Sequence, residues 1–391
     1  MSVRFQRRVA NLLCRALQFL LPPHQCDWGL AIRAELEALP DDTQALVFAL
    51  ESFRGLAPRA LGLLLMQPFL SLMGAEVRAS RASAGAEGGS GGGRGPSPVG
   101  VLCAVGAVVM GLVYMTLVGA PVRYLGSNVG ALVIGLVLLA LVRRIPESVG
   151  RGSGALILGL SALLLATSLL GLRVEGASRW VMLGGVVVQP SLVLLPLMLV
   201  GFSRTRTPLG TMGIVVAALA MALQPDRAMA AMMATAMATV MATRASRSTS
   251  LAFAASLLAF VVTLLRLDTL PATPFVDQVL YSSFAAHALA GLAVVAGLFL
   301  LLVPVLLAGA CDEHLRPACF AFGAAWLAAI LAAAFGNHPT PVVGYGGSAI
   351  LGYVLSLSLL PRPVRQGTGS TSEAPDKPPA SRDLHSKIAL A

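Results

Sequence analysis

The stretch FAAHALAGLAVVAGLFLLLVPVLLAG, residues 284–309, runs for 26 residues without one Asp, Glu, Lys or Arg. About 20 apolar residues of α-helix cross the hydrocarbon core of a bilayer. A surface helix of a water-soluble domain carries one apolar face, whereas this run is apolar all round and reads as a spanning helix. Comparable runs lie at 99–119, 126–142, 154–172, 186–203, 208–223, 227–243, 249–265, 318–335 and 343–360, which makes ten in all. Only helices or closed barrels satisfy their backbone groups in lipid. The expected fold is therefore an all-α polytopic membrane helix bundle of about ten transmembrane helices.

Composition agrees. The 391 residues are 56% hydrophobic and 12% charged, with a mean hydropathy of +0.80. The net charge of +10 comes from Arg residues scattered between apolar runs, with no basic stripe and no aromatic interleaving, so no nucleic-acid partner is expected. With both termini in the cytoplasm, Arg143, Arg144, Arg151, Arg204, Arg206, Arg244, Arg247, Arg316, Arg362 and Arg365 lie inside. Arg123, Arg173, Arg179, Arg227 and Arg266 lie outside, in the sense of the positive-inside rule. The five Cys (Cys14, Cys26, Cys103, Cys311, Cys319) have no metal-ligand spacing and read as packing residues.

Four regions divide the chain. Residues 1–76 are expected to form a cytoplasmic or interfacial helical module. Its first helix is retained and amphipathic, because Arg15 interrupts the apolar run and no cleavage site follows. DWGLAIRAELEALPDD (27–42) and ALVFALESFRG (45–55) form a helical hairpin whose second helix starts on Asp41 and Asp42, and which acts in docking or regulation. RALGLLLMQPFLSLMGA (59–75) is short for a span and carries Pro68, which favours an interfacial helix. Residues 77–98 are a Gly/Ser/Arg linker, 99–361 the transmembrane domain, and 362–391 a polar, Pro-rich tail. Within the bundle, AMAAMMATAMATVMATR (228–244) offers small residues for close helix contact.

Chemistry belongs to the polar groups that interrupt the apolar runs, since a charge at the membrane costs a few kcal/mol unless paired or used. On the assigned outer side they are RVEGASRW (173–180) with Gln189 and Pro190, then Gln224, Pro225, Asp226 and Arg227, then DTLPATPFVDQ (268–278), then GNHPTPVVGYGGS (336–348). His287 and His338 lack ligand-spaced partners, so no metal site is expected.

In that order the segments resemble the SEDS family, the FtsW/RodA-type proteins of cell division and elongation. Gly176, Ala177, Arg179 and Trp180, then Leu183, Gly184, Gln189, Pro190 and Ser191, look like its GAxRW…LG…QPS. Gln224, Pro225 and Asp226 match QPD. Leu270, Pro271, Asp277 and Gly291 look like LPE…TDF…G, and Pro339, Pro341, Tyr345, Gly346, Gly347 and Ser348 resemble PLPFxSYGGS. The resemblance covers about 99–362. It implies a SEDS-like fold in the bacterial inner membrane, a lipid-linked peptidoglycan precursor as partner beside membrane lipid, and a transpeptidase or division protein as a further partner. It also implies Asp277 as the catalytic carboxylate, with Arg179, Trp180, Gln189, Asp226, Arg227, Tyr345, Gly346, Gly347 and Ser348 around the substrate.

Departures from the family pattern fall on polar positions. Leu192 and Leu195 replace the Glu and Lys after QPS, Val276 replaces the Thr before Asp277, and Ala285 and Ala286 replace an acidic pair. The implied chemistry is removal of a sugar hydroxyl proton by Asp277 during attack on an anomeric carbon, with Arg179 or Arg227 neutralising the departing pyrophosphate. No cofactor is required, and a divalent cation is compatible with it. The same residues also have plainer readings. Asp277 suits a solvated turn, Arg179 and Trp180 an interfacial anchor pair, Asp226 and Arg227 a structural ion pair, and Gly346 and Gly347 a break that lets the chain turn. Three functions stay open: a peptidoglycan glycosyltransferase, a scaffold that has lost catalysis, and a flippase of the lipid-linked precursor.

Overall fold

The computed structural model describes residues 3–21, 26–56, 98–142, 153–174, 177–266, 271–306 and 316–360. Apolar segment 59–75, residues 77–97 of the expected linker and the 362–391 tail lie outside the described residues.

Three helices form the N-terminal part: α1 (Val3–Leu20), α2 (Cys26–Ala38) and α3 (42–56). The α2–α3 hairpin forms as its spacing predicts, and Asp41 opens α3 by accepting from the amides of Thr43 and Gln44. The difference lies in α1. Its apolar stripe, Ala10, Cys14 and Leu17, is buried against Leu36, Ala45, Ala49, Ile32 and Phe53, so that face is spent on a three-helix core. Arg7 ties the three together. Its guanidinium donates to the carbonyls of Leu36 (3.0 Å) and Leu39 (2.8 Å) at the end of α2 and lies 3.6 Å from Asp42 at the start of α3.

All ten apolar runs become helices: α4 (Pro98–Leu117), α5 (Val122–Val142), α6 (Ser153–Leu170), α7 (Pro190–Thr205), α8 (Pro208–Leu223), α9 (Arg227–Thr243), α10 (Arg247–Leu264), α12 (Ala288–Leu306), α13 (Arg316–Phe335) and α14 (Gly347–Leu357). Six of them (α4, α5, α6, α10, α12, α13) are long and apolar enough to cross a membrane, and α7, α8 and α14 are shorter apolar helices. The chain is a polytopic membrane bundle. The sequence sets its turns: Thr207 caps α8 ahead of Pro208, Asp226 caps α9, and Ser246 with Thr249 forms a capping box on α10. Glycines let backbones meet. A Cβ on Gly352 of α14 would collide with the Leu192 carbonyl of α7, and one on Gly213 of α8 would lie 2.9 Å from the Leu158 amide of α6.

Two features depart from the sequence expectation. The helix of the 186–203 run starts only at Pro190, because β1 (Leu172–Val174), β2 (Ala177–Leu183) and β3 (Val186–Val188) form a small antiparallel sheet ahead of it. Gly184 and Gly185, at φ +55° and +84°, make its two-residue turn. The 284–309 run also breaks at His287, whose extended backbone separates α11 (Val279–Ala286) from α12. The Phe284 ring of α11 folds back onto Gly291, leaving no room for a Cβ there.

Candidate functional site

The four polar segments meet at one end of the bundle, where α7, α9 and α14 all begin. Asp226 is the hub of a buried network and is 2% exposed. One carboxylate oxygen accepts from Gln189 Nε2 (2.9 Å) and the Ser191 hydroxyl (3.3 Å), the other from the Met229 amide (3.3 Å). The Gln189 amide in turn donates to the Ser348 hydroxyl (3.0 Å). Gln189, Asp226 and Ser348 thus join the starts of all three helices. Asp226 is not ion-paired with Arg227, contrary to the sequence expectation: it caps α9, and Arg227 turns away to donate to the Arg266 carbonyl (2.9 Å).

Arg179 belongs to the same scaffold. Buried on β2, it donates to the backbone carbonyls of Gln224 (3.2 Å) and Pro225, gripping the turn before Asp226. Gln224 reaches on to the Leu164 carbonyl of α6 (3.1 Å). Adjacent strand residues face opposite sides, and Trp180, next to Arg179, is half-buried.

Asp277 sits in a second cluster made by two loops. Its carboxylate accepts from the Thr273 amide (2.8 Å), closing the 273–277 turn. Asp277 then bridges Pro339 in antiparallel fashion, while the Thr340 amide donates to Val276 O (2.8 Å) and the Tyr345 amide to Phe275 O (2.6 Å). The 271–278 loop is therefore laced to 339–345. Beside it opens a cleft of about 460 Å³ lined by Arg227, Gln278, Tyr281, Ala334, Phe335, Gly336, Asn337 and His338. Gln278 donates to Asn337 Oδ1 (2.6 Å) and the Tyr281 hydroxyl to Ala334 O (2.8 Å) across it. The buried Nε of Arg227 has no hydrogen-bond partner among the described residues. A cation, two amides and a histidine line an opening that suits an anionic, hydroxyl-rich ligand. Among the described residues no three His, Cys, Asp or Glu cluster to hold a metal ion.

Where the paired loops meet α5 lies an aromatic group of which the sequence singled out Tyr345 alone. Tyr345 stacks on Tyr124 of α5 (centroids 3.9 Å apart, planes at 13°), Phe275 meets Tyr124 edge-on at 6.0 Å, and Arg123 lies over the Tyr124 ring at 5.3 Å. Asn128, one turn along α5, was also missed. It is fully buried, donating from Nδ2 to Gly344 O (2.8 Å) and accepting from the Gly346 amide (3.1 Å). Its signal was available, because an Asn inside an apolar run needs partners.

The fold has known relatives in structure. A crystal structure of the rod shape determining protein RodA from Thermus thermophilus matches with a TM-score of 0.50 at 21% identity, over 67% of this chain and 94% of that one. An aspartate-to-alanine mutant of the same protein matches with a TM-score of 0.50 at 22% identity, over 67% and 95%. The bundle has the RodA fold. No family model and no curated protein matches the chain. The SEDS resemblance read from motifs and the RodA-type fold agree, and at this identity the structural likeness carries architecture alone. Within the RodA-type bundle, Gln189, Asp226, Gly346, Gly347, Ser348 and Arg179 build the scaffold, Arg227 reaches the cleft, and Asp277 and Tyr345 sit on the paired loops.

Proposed function

We propose that the chain is a SEDS-type protein of bacterial peptidoglycan synthesis that transfers a sugar from a lipid-linked precursor at the outer face of the inner membrane, both termini being cytoplasmic. The observation that supports this reading is the lacing of the 271–278 loop to 339–345 beside the Arg227 cleft, which sets the loop of the Asp277 carboxylate next to an opening lined by a cation. Asp277 takes the proton of the attacking sugar hydroxyl as that oxygen bonds to the anomeric carbon. The bond from that carbon to the pyrophosphate oxygen breaks, and Arg227 holds the departing negative charge. Gln278, Asn337 and His338 offer hydrogen bonds to sugar or phosphate oxygens.

The full chain in proteoliposomes with lipid II tests this. Polymer from wild type and none from Asp277→Asn, with the fold intact, is the expected outcome. Equal product from both sinks the assignment of Asp277.

A second reading has its own observation. Leu192 and Leu195, where the family pattern carries Glu and Lys, are buried in the core, so two polar functions of that pattern are gone from this bundle. On that reading the chain is a scaffold for a transpeptidase or a division protein. Absence of polymer from the pure wild type, together with its co-purification with a wall-synthesis protein, selects it.

A further inference from the structure

We infer that Asn128 is a positioning residue for Asp277, acting from α5 through the 339–346 loop; this rests on the glycosyl-transfer reading above. Asn128 grips the chain on both sides of Tyr345, donating to Gly344 O (2.8 Å) and accepting from the Gly346 amide (3.1 Å), at 0% exposure. Those two bonds use one donor and one acceptor of the side chain and flank Gly346 at φ +151°, a conformation open to glycine. The grip is transmitted onward. Gly344 lies so close to the Asp277 loop that a Cβ on it would sit 3.1 Å from Phe275 O and 3.4 Å from Val276 O. The Tyr345 amide donates to Phe275 O, and the Thr340 amide to Val276 O, immediately before Asp277. The Tyr345 ring meanwhile stacks on Tyr124, one turn before Asn128 on the same helix, so α5 fixes the loop at backbone and ring together.

The loop needs such an anchor. Val342 and Val343 are buried, and a Cβ on Gly111 of α4 would lie 2.8 Å from Val343 Cα, so this irregular backbone runs inside the bundle. Non-helical chain at that depth persists only where protein satisfies its polar groups, and Asn128 supplies a donor and an acceptor on consecutive peptides. Its role is indirect: the hydrogen bonds of Asn128 go to Gly344 and Gly346, neither of which lines the cleft. Its contribution is the placement of the base, where a displacement of about 1 Å is enough to cost about 100-fold in rate.

Asn128→Leu keeps the branching at Cγ in a somewhat larger side chain and removes both bonds, while Asn128→Asp keeps the acceptor for Gly346 and loses the donor to Gly344. The full chain is reconstituted in nanodiscs, and two quantities are read: hydrogen exchange at Thr273, Asp277, Thr340 and Tyr345 against the Asp226–Met229 turn, and the polymerisation rate as a function of lipid II concentration. Asn128→Leu is expected to speed exchange in both loops and leave the α9 cap protected. It is also expected to lower kcat about 10- to 100-fold with KM little changed, with Asn128→Asp intermediate in both. Unchanged exchange at Thr273 and Asp277 in a folded variant overturns the proposal whatever the activity. So does accelerated exchange with unchanged kcat. If Asn128→Leu does not fold, Asn128→Asp decides by the same two measurements. A wild type that makes no polymer while its Asn128 variants loosen the Asp277 loop rejects glycosyl transfer and leaves the coupling from α5 standing.

Discussion

Two pairs of residues that look alike in the sequence have separate duties. Asp226 and Asp277 are both loop carboxylates beside a proline-containing turn, yet Asp226 is sealed under Gln189, Ser191 and the Met229 amide, and Asp277 is half-buried on the loops beside the cleft. Asp226→Ala should therefore cost roughly 1–3 kcal/mol, from the lost cap and the stranded donors of Gln189 and Ser191, and show as a lower melting temperature of the purified protein. Asp277→Asn should leave that temperature unchanged and remove turnover. Arg227 and Arg179 divide in the same way. Arg227→Ala is expected to weaken productive binding of the pyrophosphate-linked substrate, seen in kcat/KM, while Arg179→Ala loosens the turn before Asp226 and lowers thermal stability.

At the scale of elements, the short helix α11 depends on one missing side chain. Phe284 rests on Gly291, so Gly291→Ala must displace α11 from α12, an overpacking that costs roughly 1–3 kcal/mol. Cross-linking of cysteines at 281 and 334 by a bifunctional reagent as long as the tyrosine side chain, whose hydroxyl reaches Ala334 O, should fall in that variant. The N-terminal helices give an independent test. Burial pushes the Cys14 thiol above its ordinary range. The thiolate is the reactive form, so alkylation of Cys14 should be slow in the folded module. Arg7→Ala, which frees the end of α2 and the start of α3, should speed it. Since the folded module holds the Cys14 proton more tightly than the unfolded chain, its stability should decline as pH rises past the ordinary thiol range.

At the scale of the whole molecule, the alternation of helices sends the β-sheet and the 224–227, 271–278 and 336–346 segments to one end and the 205–208 and 243–247 turns to the other. In a cysteine-free background, Ala272→Cys should react with an impermeant thiol reagent applied to the outside of intact cells. Ala245→Cys should react only after permeabilisation. The opposite pattern would invert the topology that the Arg distribution implies.

The ten helices were legible because an apolar run of spanning length has one outcome in lipid, and caps such as Thr207, Asp226 and Ser246 are local, each bonding an amide three residues on. The glycine pair 184–185 signalled a hairpin that the apolar run around it concealed. What tertiary structure alone decided was pairing over long sequence distances. Arg179 meets Gln224 and Pro225, Gln189 meets Asp226 and Ser348, and Asn128 meets Gly344 and Gly346. Periodicity says which residues must find partners when buried, since an unpaired polar group in a membrane interior is too costly to keep. Only the packing of the helices brings those partners within 3 Å or so of each other, and that packing separated the carboxylate that holds the bundle together from the one beside its cleft.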